Sequence, residues 1–389
     1  MNWPWFFSFW HRITFLSTAS REIHTEFHPS RTVELFVKDR KPANMVFDLV
    51  SSLMRMPYVP PSFFARFLLH QFLPIPIPDT DYTNKTVIVT GGNGGLGLEA
   101  VRHFARLGAR VIIACRNADS GQQARNDIQR ANYHGTVEVW PLDLCSFDSV
   151  KSFCVKANTV LDRLDVLLLN AGIMAKELQT PEEGGGYEST ILTNVISTFL
   201  VAFMLMPLLK QTAEQQADKA VVTVVSSEAH FLTTFKERLE PNIFGCFRNG
   251  DFDPYENYST SKLLDLLLAR ELANRLDASS PAGNSKVIVN SVNPGLCRSK
   301  LFNKVPIIVN LFIGFLSLIF ARSSEQGSRT LLAAAAGGRE THGKYMDAAK
   351  VAQPSSFVMS DEGKRAQKRV WEELVNILDG VEKGVSKNI

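Results

Sequence analysis

The stretch Thr90-Gly-Gly-Asn-Gly-Gly-Leu-Gly97 decides the fold of this chain. It follows a short apolar run, Thr86 to Val89, and opens a helix-compatible stretch, Leu96 to Leu107. Glycines permit a tight turn and a close backbone approach to a pyrophosphate, which binds at a helix N-terminus where N–H groups lack partners. The spacing fits several glycine-rich patterns at once, so it predicts a dinucleotide site without naming its subtype. The predicted contact residues are Gly91, Gly95, Leu96 and Gly97.

Further apolar runs recur along the chain with helix-length segments between them. They lie at Arg110 to Ala114, Val137 to Leu142, Val166 to Leu169, Val221 to Val225 and Val287 to Val292. Continuous Val, Ile and Leu runs predict strands buried on both faces, and strand–helix alternation predicts a parallel sheet. Gly343 to Met346 predicts a last short strand, and Asp361 to Leu378 an amphipathic helix. The predicted fold class is α/β, with a Rossmann-type doubly wound sheet.

Composition limits the classes to which this chain of 389 residues can belong. With 45% hydrophobic and 21% charged residues, it can bury a large core. A formal net charge of +3 is too small to favour nucleic acid as a partner. The five cysteines are scattered, without a CxxC pair or metal-ligand spacing. We therefore expect no metal site and a reducing, cytoplasmic location.

The first 80 residues are predicted to form an extension ahead of one large domain at residues 81–389. The alternating prolines of Leu73 to Asp79 favour an extended connector. An aromatic cluster from Trp3 to Trp10 is much shorter than the roughly 20 apolar residues of a membrane span. Three interpretations stay open: a disordered or locally packed extension, peripheral membrane contact, or a chain that starts at Met45 or Met54.

The second predicted strand ends in Ile112-Ile-Ala-Cys-Arg-Asn117, where the choice of nicotinamide cofactor is made. An NAD site carries Asp or Glu here, on the ribose 2′-hydroxyl. This chain has Arg116, whose guanidinium can pair with a 2′-phosphate, so the sequence favours NADP(H). Asp119 lies too far into the following helix to replace the missing acid. NAD or dual use, and a solvated loop charge, stay open as alternatives.

Seven motifs occur in an order typical of short-chain dehydrogenases/reductases, and the chain resembles that family over about residues 84 to 350. They are Thr90 to Gly97, Leu142-Asp143-Leu144, Asn170-Ala171-Gly172, Asn194, Ser226-Ser227, Tyr258-Ser-Thr-Ser-Lys262 and Asn293-Pro294-Gly295. Any one motif is a weak signal, whereas the ordered set is specific. Ala114 to Arg116, Ser226 to His230 and Arg270 to Arg275 are similar to the retinol-dehydrogenase-like branch and to fungal reductases of secondary metabolism.

Tyr258 and Lys262 stand four residues apart, so on a helix they project from the same face. Hydride transfer to a ketone leaves an alkoxide that needs a proton, and a tyrosine with an unperturbed pKa of about 10 is an acid but a poor base. A neighbouring ammonium lowers the tyrosine pKa and corrects this. In the family the matching lysine also holds the nicotinamide ribose. Both residues are therefore predicted to contact the cofactor as well.

The resemblance assigns the remaining residues of the predicted site. Ser227 matches the serine that hydrogen-bonds the substrate oxygen, and family register alone favours it over Ser226. Asn194 matches the asparagine of a water and proton relay to the lysine. Asp143 matches the residue that meets the adenine, and Asn170 begins the turn that closes over the cofactor.

Two segments, residues 228–257 and 296–325, are predicted to cover the substrate. In the second, Ser299 stands where a threonine commonly contacts the carboxamide, and its hydroxyl is expected to preserve cofactor binding. The first is rich in phenylalanine, and the second contains an apolar stretch, Val305 to Ala321. Together they favour a large apolar pocket under mobile elements, while a loop that packs its own aromatics stays open. The phenylalanines are Phe231, Phe235, Phe244, Phe247 and Phe252.

The sequence predicts an NADP(H)-dependent oxidoreductase acting on a carbonyl or alcohol of a hydrophobic small molecule, such as a polyketide, terpenoid or retinoid-like compound. The resemblance leaves a homodimer open, because the family often pairs through the helix that carries the tyrosine. A non-catalytic nucleotide sensor on the same fold is one alternative, and retention of Tyr258 and Lys262 argues against it. An epimerase or dehydratase is another, disfavoured by the Asn170-Ala-Gly172 and Asn293-Pro-Gly295 motifs.

Overall fold

The computed structural model describes residues 63–215, 219–280, 283–297 and 321–389. Ser299, most of the predicted substrate segment 296–325 and the aromatic cluster near the N-terminus lie outside the described residues.

One eight-stranded sheet forms the centre of the described structure. Its strands are β1 (Thr86–Thr90), β2 (Arg110–Cys115), β3 (Thr136–Pro141), β4 (Val166–Leu169), β5 (Ala220–Val225), β6 (Val287–Asn293), β7 (Tyr345–Asp347) and β8 (Lys350–Ala352). They are ordered β3-β2-β1-β4-β5-β6-β7-β8. Neighbours from β3 to β7 pair in parallel, and β8 pairs antiparallel with β7. The predicted doubly wound α/β fold is confirmed.

Eight helices of ten residues or more lie among the described residues. They are α1 (Phe63–Phe72), α2 (Gly95–Arg106), α3 (Ala118–Arg130), α4 (Phe147–Val160), α5 (Ser197–Gln215), α6 (Pro254–Ser279), α7 (Ser324–Ala336) and α8 (Asp361–Val381). Shorter helical turns connect them, at Glu182–Gly184, Ser189–Ile191, Leu192–Ile196, Glu228–Phe231, Lys236–Leu239, Cys246–Asn249, Arg339–Thr341, Ser356–Met359 and Val385–Asn388.

Helices cover both faces of the sheet, and this explains the continuous apolar runs of its strands. In β1, Ile88 packs into a core with α4, α5, α6 and α8, whereas Val87 and Val89 pack into a core with α2, α3 and α7. Every position of β1, β4, β5 and β6 is buried. Because both faces are dry, neither face of these strands could carry the alternating polar residues of a half-exposed sheet.

Among the described residues, one helical stretch, Ser189–Gln215, is long and apolar enough to cross a membrane. However, 89% of its most apolar window is buried inside the protein. The stretch contains α5, which packs against β5 and α4 and contributes to one of the two cores. We therefore interpret it as a core helix.

The helix α1 lies within the predicted N-terminal extension and is joined to the last residue of β7. The ring of His70 hydrogen-bonds the carboxylate of Asp347 on β7, and Arg322 donates to the His70 carbonyl. The guanidinium of Arg66 lies 5.0 Å from the ring centroid of Phe231. Residues 73–80 follow without regular secondary structure, as their prolines predict.

Candidate active site

A cleft of about 880 Å³ opens where the parallel strands end. Residues that follow β1, β2, β4, β5 and β6 line it together with the first turns of α6. The strand order reverses between β1 and β4, which is the place where open parallel sheets bind their ligands. The sequence-predicted residues that line the cleft are Gly91, Leu96, Gly97, Arg116, Asp143, Asn170, Ser227, Tyr258 and Lys262.

The turn between β1 and α2 has the backbone shape that its glycines predict. Gly91 and Gly95 have φ angles of +67° and +54°, in the left-handed region that favours glycine. A Cβ on Gly97 would lie 2.5 Å from the Gly91 carbonyl oxygen and 2.5 Å from Asn170 Nδ2, so only glycine fits there. The N-cap of α2, Gly94, offers no side-chain cap. The first N–H groups of α2 are thus left for an anion, and the turn fits a dinucleotide pyrophosphate.

Asn170 joins the end of β4 to the end of β1 beneath the glycine turn. Its Nδ2 donates to the Thr90 carbonyl at 2.9 Å. Thr90 Oγ1 in turn accepts from the backbone N–H groups of Asn170 and Ala171, both at 3.0 Å. These bonds fix the floor of the cleft at the point where the strand order reverses.

Arg116 is exposed and follows the last residue of β2 at the rim of the cleft. Its neighbour Asn117 caps α3 by accepting from Ser120 N at 2.8 Å, and Asn93 of the glycine turn donates to Ser120 Oγ at 2.7 Å. Asp119 is exposed in the first turn of α3 and does not line the cleft. The rim at this end therefore carries the cation that the sequence predicts for a 2′-phosphate.

Asp143 lies on the same side of the cleft, directly after β3. Its Oδ1 accepts from Cys145 N at 2.9 Å, and its own backbone N–H donates to Ser149 Oγ at 2.9 Å. These two bonds tie the segment that is predicted to meet the adenine to the first residues of α4 and to the turn that precedes it.

Tyr258 and Lys262 project from the first turns of α6. That helix begins here because Pro254 occupies its first turn and Asp253 caps it, accepting from Tyr255 N at 2.8 Å. Lys262 Nζ lies 5.8 Å from the ring centroid of Tyr258. The same ammonium is buried and donates to the Val225 carbonyl at 2.9 Å. The predicted pair therefore shares one face of one helix.

Asn194 lies in a π-helical turn, Leu192–Ile196, between two α-helical segments. Its Oδ1 accepts from Ile173 N at 2.8 Å, and its Nδ2 donates to the Ile173 carbonyl at 3.0 Å and to Ser261 Oγ at 2.9 Å. A Cβ on Gly172 would lie 3.4 Å from Asn194 Oδ1 and 3.5 Å from Lys262 Nζ. The two predicted relay groups thus converge beside Gly172.

The serine pair after β5 has two different environments. Ser226 is 2% exposed, and its hydroxyl donates to the Lys262 carbonyl at 2.8 Å. Ser227 is half-buried, and its Oγ accepts from Ala229 N at 3.1 Å at the start of the next helical turn. The Ser227 hydroxyl hydrogen therefore remains available to a ligand, whereas that of Ser226 is used within the fold.

The phenylalanine-rich segment does not cover the cleft in the way that its composition suggested. Phe231, Phe235, Phe244 and Phe247 are all buried and do not line the cleft, and the last three pack into the core that contains α6 and α8. The segment contributes other side chains to the cleft wall, Glu228, Leu232 and Tyr255 among them.

Three lining or neighbouring residues were missed at the level of sequence. Phe67 of α1 lines the cleft although α1 belongs to the predicted extension. Glu228 also lines it, and burial, reinforced by the Asp347 carboxylate, raises its pKa to about 8. Asp265, a lone charge in an apolar run, is 1% exposed beside Lys262. Only that isolated charge was a signal visible in the sequence.

Among the residues that the structure describes, no group of three or more His, Cys, Asp or Glu side chains is placed to hold a metal ion. The described cysteines are all free thiols.

Comparisons with known proteins agree with this geometry. The family model described as short chain dehydrogenase matches residues 85–236. The short chain dehydrogenase/reductase dmxR8 of Cryptosporiopsis sp. (strain 8999) is 40% identical over 331 residues, covering 83% of this chain and 99% of the relative. The short chain dehydrogenase atnD of Emericella nidulans is 42% identical over 293 residues, covering 73% and 90%.

A solved structure extends the likeness to three dimensions. An uncharacterised protein from Mycobacterium paratuberculosis superposes with a TM-score of 0.57 at 27% identity, covering 78% of this chain and 98% of that protein. The fold, the ordered motifs and the relatives lead to one conclusion: this chain belongs to the short-chain dehydrogenase/reductase family and is an oxidoreductase similar to fungal reductases.

Proposed function

We propose that this protein is an NADP(H)-dependent oxidoreductase that interconverts a carbonyl and an alcohol on an apolar small molecule. The observation that carries the proposal is the meeting of Tyr258, Lys262 and Ser227 around one cleft, beside a glycine turn shaped for a dinucleotide. Asn194 does not line the cleft itself and lies buried against Gly172, which does. A sensor that only binds nucleotide has no need of this proton-handling set.

The residues present fit a nicotinamide dinucleotide. The turn at Gly91, Gly95, Leu96 and Gly97 would hold the pyrophosphate, since its N–H groups are open and a Cβ at Gly97 would collide with backbone. Arg116 would hold the 2′-phosphate, which is why we infer NADP(H). NADP(H), when bound, supplies or accepts the hydride. Asp143 and Asn170 would line its adenine and nicotinamide halves, and Tyr258 and Lys262 its nicotinamide ribose.

The side chains of this protein handle the proton. Tyr258 gives its phenolic proton to the oxygen of the reduced carbonyl, and in the reverse direction it takes the proton back. Ser227 donates a hydrogen bond to the same oxygen from a fixed position at the start of a helical turn. The Lys262 ammonium stabilises the tyrosinate. Asn194 holds the backbone of Ile173, whose neighbour Gly172 lies against both Asn194 and the ammonium.

The apolar side chains that line the cleft support the proposed substrate class. Phe67, Met174, Leu232 and Leu296 come from four separate segments and lie in the wall of the same cleft as Ser227. Such a wall suits an extended hydrophobic molecule such as a polyketide, terpenoid or retinoid-like compound. Similarity to fungal reductases supports a place in secondary metabolism.

The wider setting of the enzyme is part of the proposal. Free thiols at all described cysteines support a reducing compartment, the cytoplasm. We retain residues 81–389 as the cofactor-binding domain, with residues 1–80 as an extension that adds α1 to it. Peripheral membrane contact, a homodimer and a role for Ser299 at the carboxamide stay predictions.

The test follows NADPH absorbance at 340 nm with a panel of hydrophobic ketones and aldehydes. Wild-type protein is expected to oxidise NADPH with at least one member, and Tyr258→Phe to lower kcat by about 10²- to 10⁴-fold, the usual contribution of a general acid. Tyr133→Phe, a half-buried tyrosine near the end of α3 and outside the cleft, is the matched control. Full turnover by Tyr258→Phe would overturn the proposed mechanism.

A further inference from the structure

A buried carboxylate stands directly behind the predicted lysine. Asp265 lies one turn further along α6, is 1% exposed, and accepts a hydrogen bond from Lys262 Nζ at 2.9 Å through its Oδ2. Its other oxygen, Oδ1, has no hydrogen-bond partner among the described residues. The flanking residues Leu264 and Leu266 are fully buried in the core. A carboxylate is therefore placed in apolar surroundings with one partner, the Lys262 ammonium.

The buried pair of Asp265 and Lys262 is not well explained by a contribution to stability alone. A buried ion pair often contributes less than apolar side chains of similar volume, because both charges lose their hydration. The unsatisfied Oδ1 adds a further cost, since a buried acceptor without a donor keeps its desolvation penalty. A leucine in this leucine-rich run would avoid both costs. The position of the carboxylate points instead to an effect on Lys262.

The charges in this part of the core form a short series. Burial lowers the pKa of the Lys262 ammonium, but the Asp265 carboxylate and the Tyr258 phenol outweigh burial, so its pKa is raised. Burial raises the pKa of Asp265, and the Lys262 charge opposes that rise. From β5, which packs against α6, the group that reaches the ammonium is the uncharged Val225 carbonyl. Among the described residues, the charges acting on Lys262 are thus those of Asp265 and Tyr258.

We propose that Asp265 is a positioning residue that fixes the Lys262 ammonium beside Tyr258 and keeps it charged in these apolar surroundings. The inference rests on the proposed function, in which Lys262 tunes Tyr258. Without the Asp265 carboxylate, burial would favour the neutral amine at Lys262, which could not stabilise a tyrosinate. Asp265 thus preserves the charge on which the proposed role of Lys262 depends.

The experiment replaces the charge and keeps the shape. In Asp265→Asn the side chain retains an oxygen acceptor for Lys262 but loses its negative charge. With NADP⁺ and an apolar secondary alcohol, the pH midpoint at which kcat/KM rises is expected to move up by about one unit relative to wild type, because a less charged Lys262 stabilises the tyrosinate less. Asp277→Asn is the control on the same helix, because Asp277 pairs with Arg339 outside the cleft. Its profile is expected to match wild type.

A second readout does not depend on turnover. Tyrosinate absorbance at 295 nm, taken as the difference from Tyr258→Phe with NADP⁺ present, follows Tyr258 itself in wild type and in Asp265→Asn. An upward shift in the midpoint supports the role of Asp265 even if no alcohol in the panel is oxidised, an outcome that would count against the proposed function alone. An unchanged midpoint would overturn the role of Asp265.

A second variant addresses folding. Asp265→Leu fills the same buried space with an apolar side chain and leaves Lys262 without its counter-charge. It is expected to shift the midpoint in the same direction as Asp265→Asn and to lower kcat, because the ammonium is no longer held. If either variant folds with altered thermal stability but a wild-type pH profile, Asp265 is only a structural residue and the inference is wrong.

Discussion

Arg116 is the residue whose charge separates the two nicotinamide cofactors in the proposed function. We expect Arg116→Ala to raise the Kd for NADPH about tenfold to a hundredfold, since a hydrogen bond to a charged group contributes about 1.5 to 3 kcal/mol. The Kd for NADH is expected to stay within about twofold, because NADH has no 2′-phosphate for Arg116 to bind. Isothermal titration calorimetry with both cofactors measures the two changes.

A matched control for Arg116 lies on the next helix. Arg130 is also exposed, and its guanidinium pairs with Asp127 at 2.8 Å on the outer surface of α3. Arg130→Ala is expected to leave both Kd values unchanged. An equal loss of affinity for NADPH and NADH in Arg116→Ala would show that Arg116 does not bind the 2′-phosphate.

Single residues differ in how far the sequence could place them. Tyr258 and Lys262 were predictable because a helix fixes the relation of residues four apart. The choice between Ser226 and Ser227 was not, because it depends on a hydrogen bond from Ser226 to the Lys262 carbonyl, 36 residues away. Asp265 was visible in the sequence as a lone charge in an apolar run. Its contact with Lys262 could not be predicted, because it depends on the burial of Asp265 in the folded protein.

At the scale of elements, the turn from β1 to α2 requires glycine at position 97, and this requirement can be tested. A Cβ on Gly97 would lie 2.5 Å from the Gly91 carbonyl oxygen, which is backbone and cannot swing away. We expect Gly97→Ala to lower the free energy of unfolding by about 1 to 3 kcal/mol, as overpacking does, and to abolish tight NADPH binding. Urea denaturation and calorimetry measure these two effects.

Gly94, three residues earlier, is the control for the same turn. Its φ is −168°, in extended backbone that any residue adopts, and no atom lies within 4 Å of a Cβ built there. Gly94→Ala is expected to keep the wild-type free energy of unfolding. If both alanine variants unfold at the same urea concentration as wild type, the turn is looser than the geometry requires.

Elements buried on both faces were the most predictable, and elements at the edges the least. The runs that became β4 and β5 contain little besides apolar residues, since neither face meets water. By contrast, β8 pairs through three residues that are mostly exposed, so its sequence carries no such pattern. The π-helical turn at Leu192–Ile196 joins residues five apart by hydrogen bonds, where an α-helix joins residues four apart. The spacing of apolar residues in the sequence does not distinguish the two over so short a segment.

At the scale of the whole molecule, a buried charge cluster joins segments that are distant along the chain. Glu228 follows β5, Asp347 ends β7, and Arg66 belongs to α1. Arg322 donates to the His70 carbonyl and to the Pro294 carbonyl, linking α1 to the end of β6. We therefore expect the protonation state of this cluster to change the free energy of unfolding of the whole domain, and not only the order of one loop.

Glu228 makes that dependence measurable. Burial, then Asp347, raise its pKa to about 8, while Arg66 and Arg322 oppose the rise. Because the folded pKa lies above the unfolded value, the folded state binds the extra proton, and this stabilisation is lost as pH rises through about 8. Between pH 6.5 and 8, wild type is expected to lose about 1.5 kcal/mol of unfolding free energy that Glu228→Gln retains.

The pH window separates Glu228 from the buried histidines. Burial lowers the pKa of His230 to about 4, so its contribution is lost only as pH falls below its unfolded value and is constant above about 6.5. Urea denaturation at several pH values gives the slope for wild type, Glu228→Gln and Glu183→Gln, an exposed control. A wild-type slope equal to that of Glu228→Gln would mean that Glu228 is already ionised in the fold, with Arg66 and Arg322 outweighing its burial.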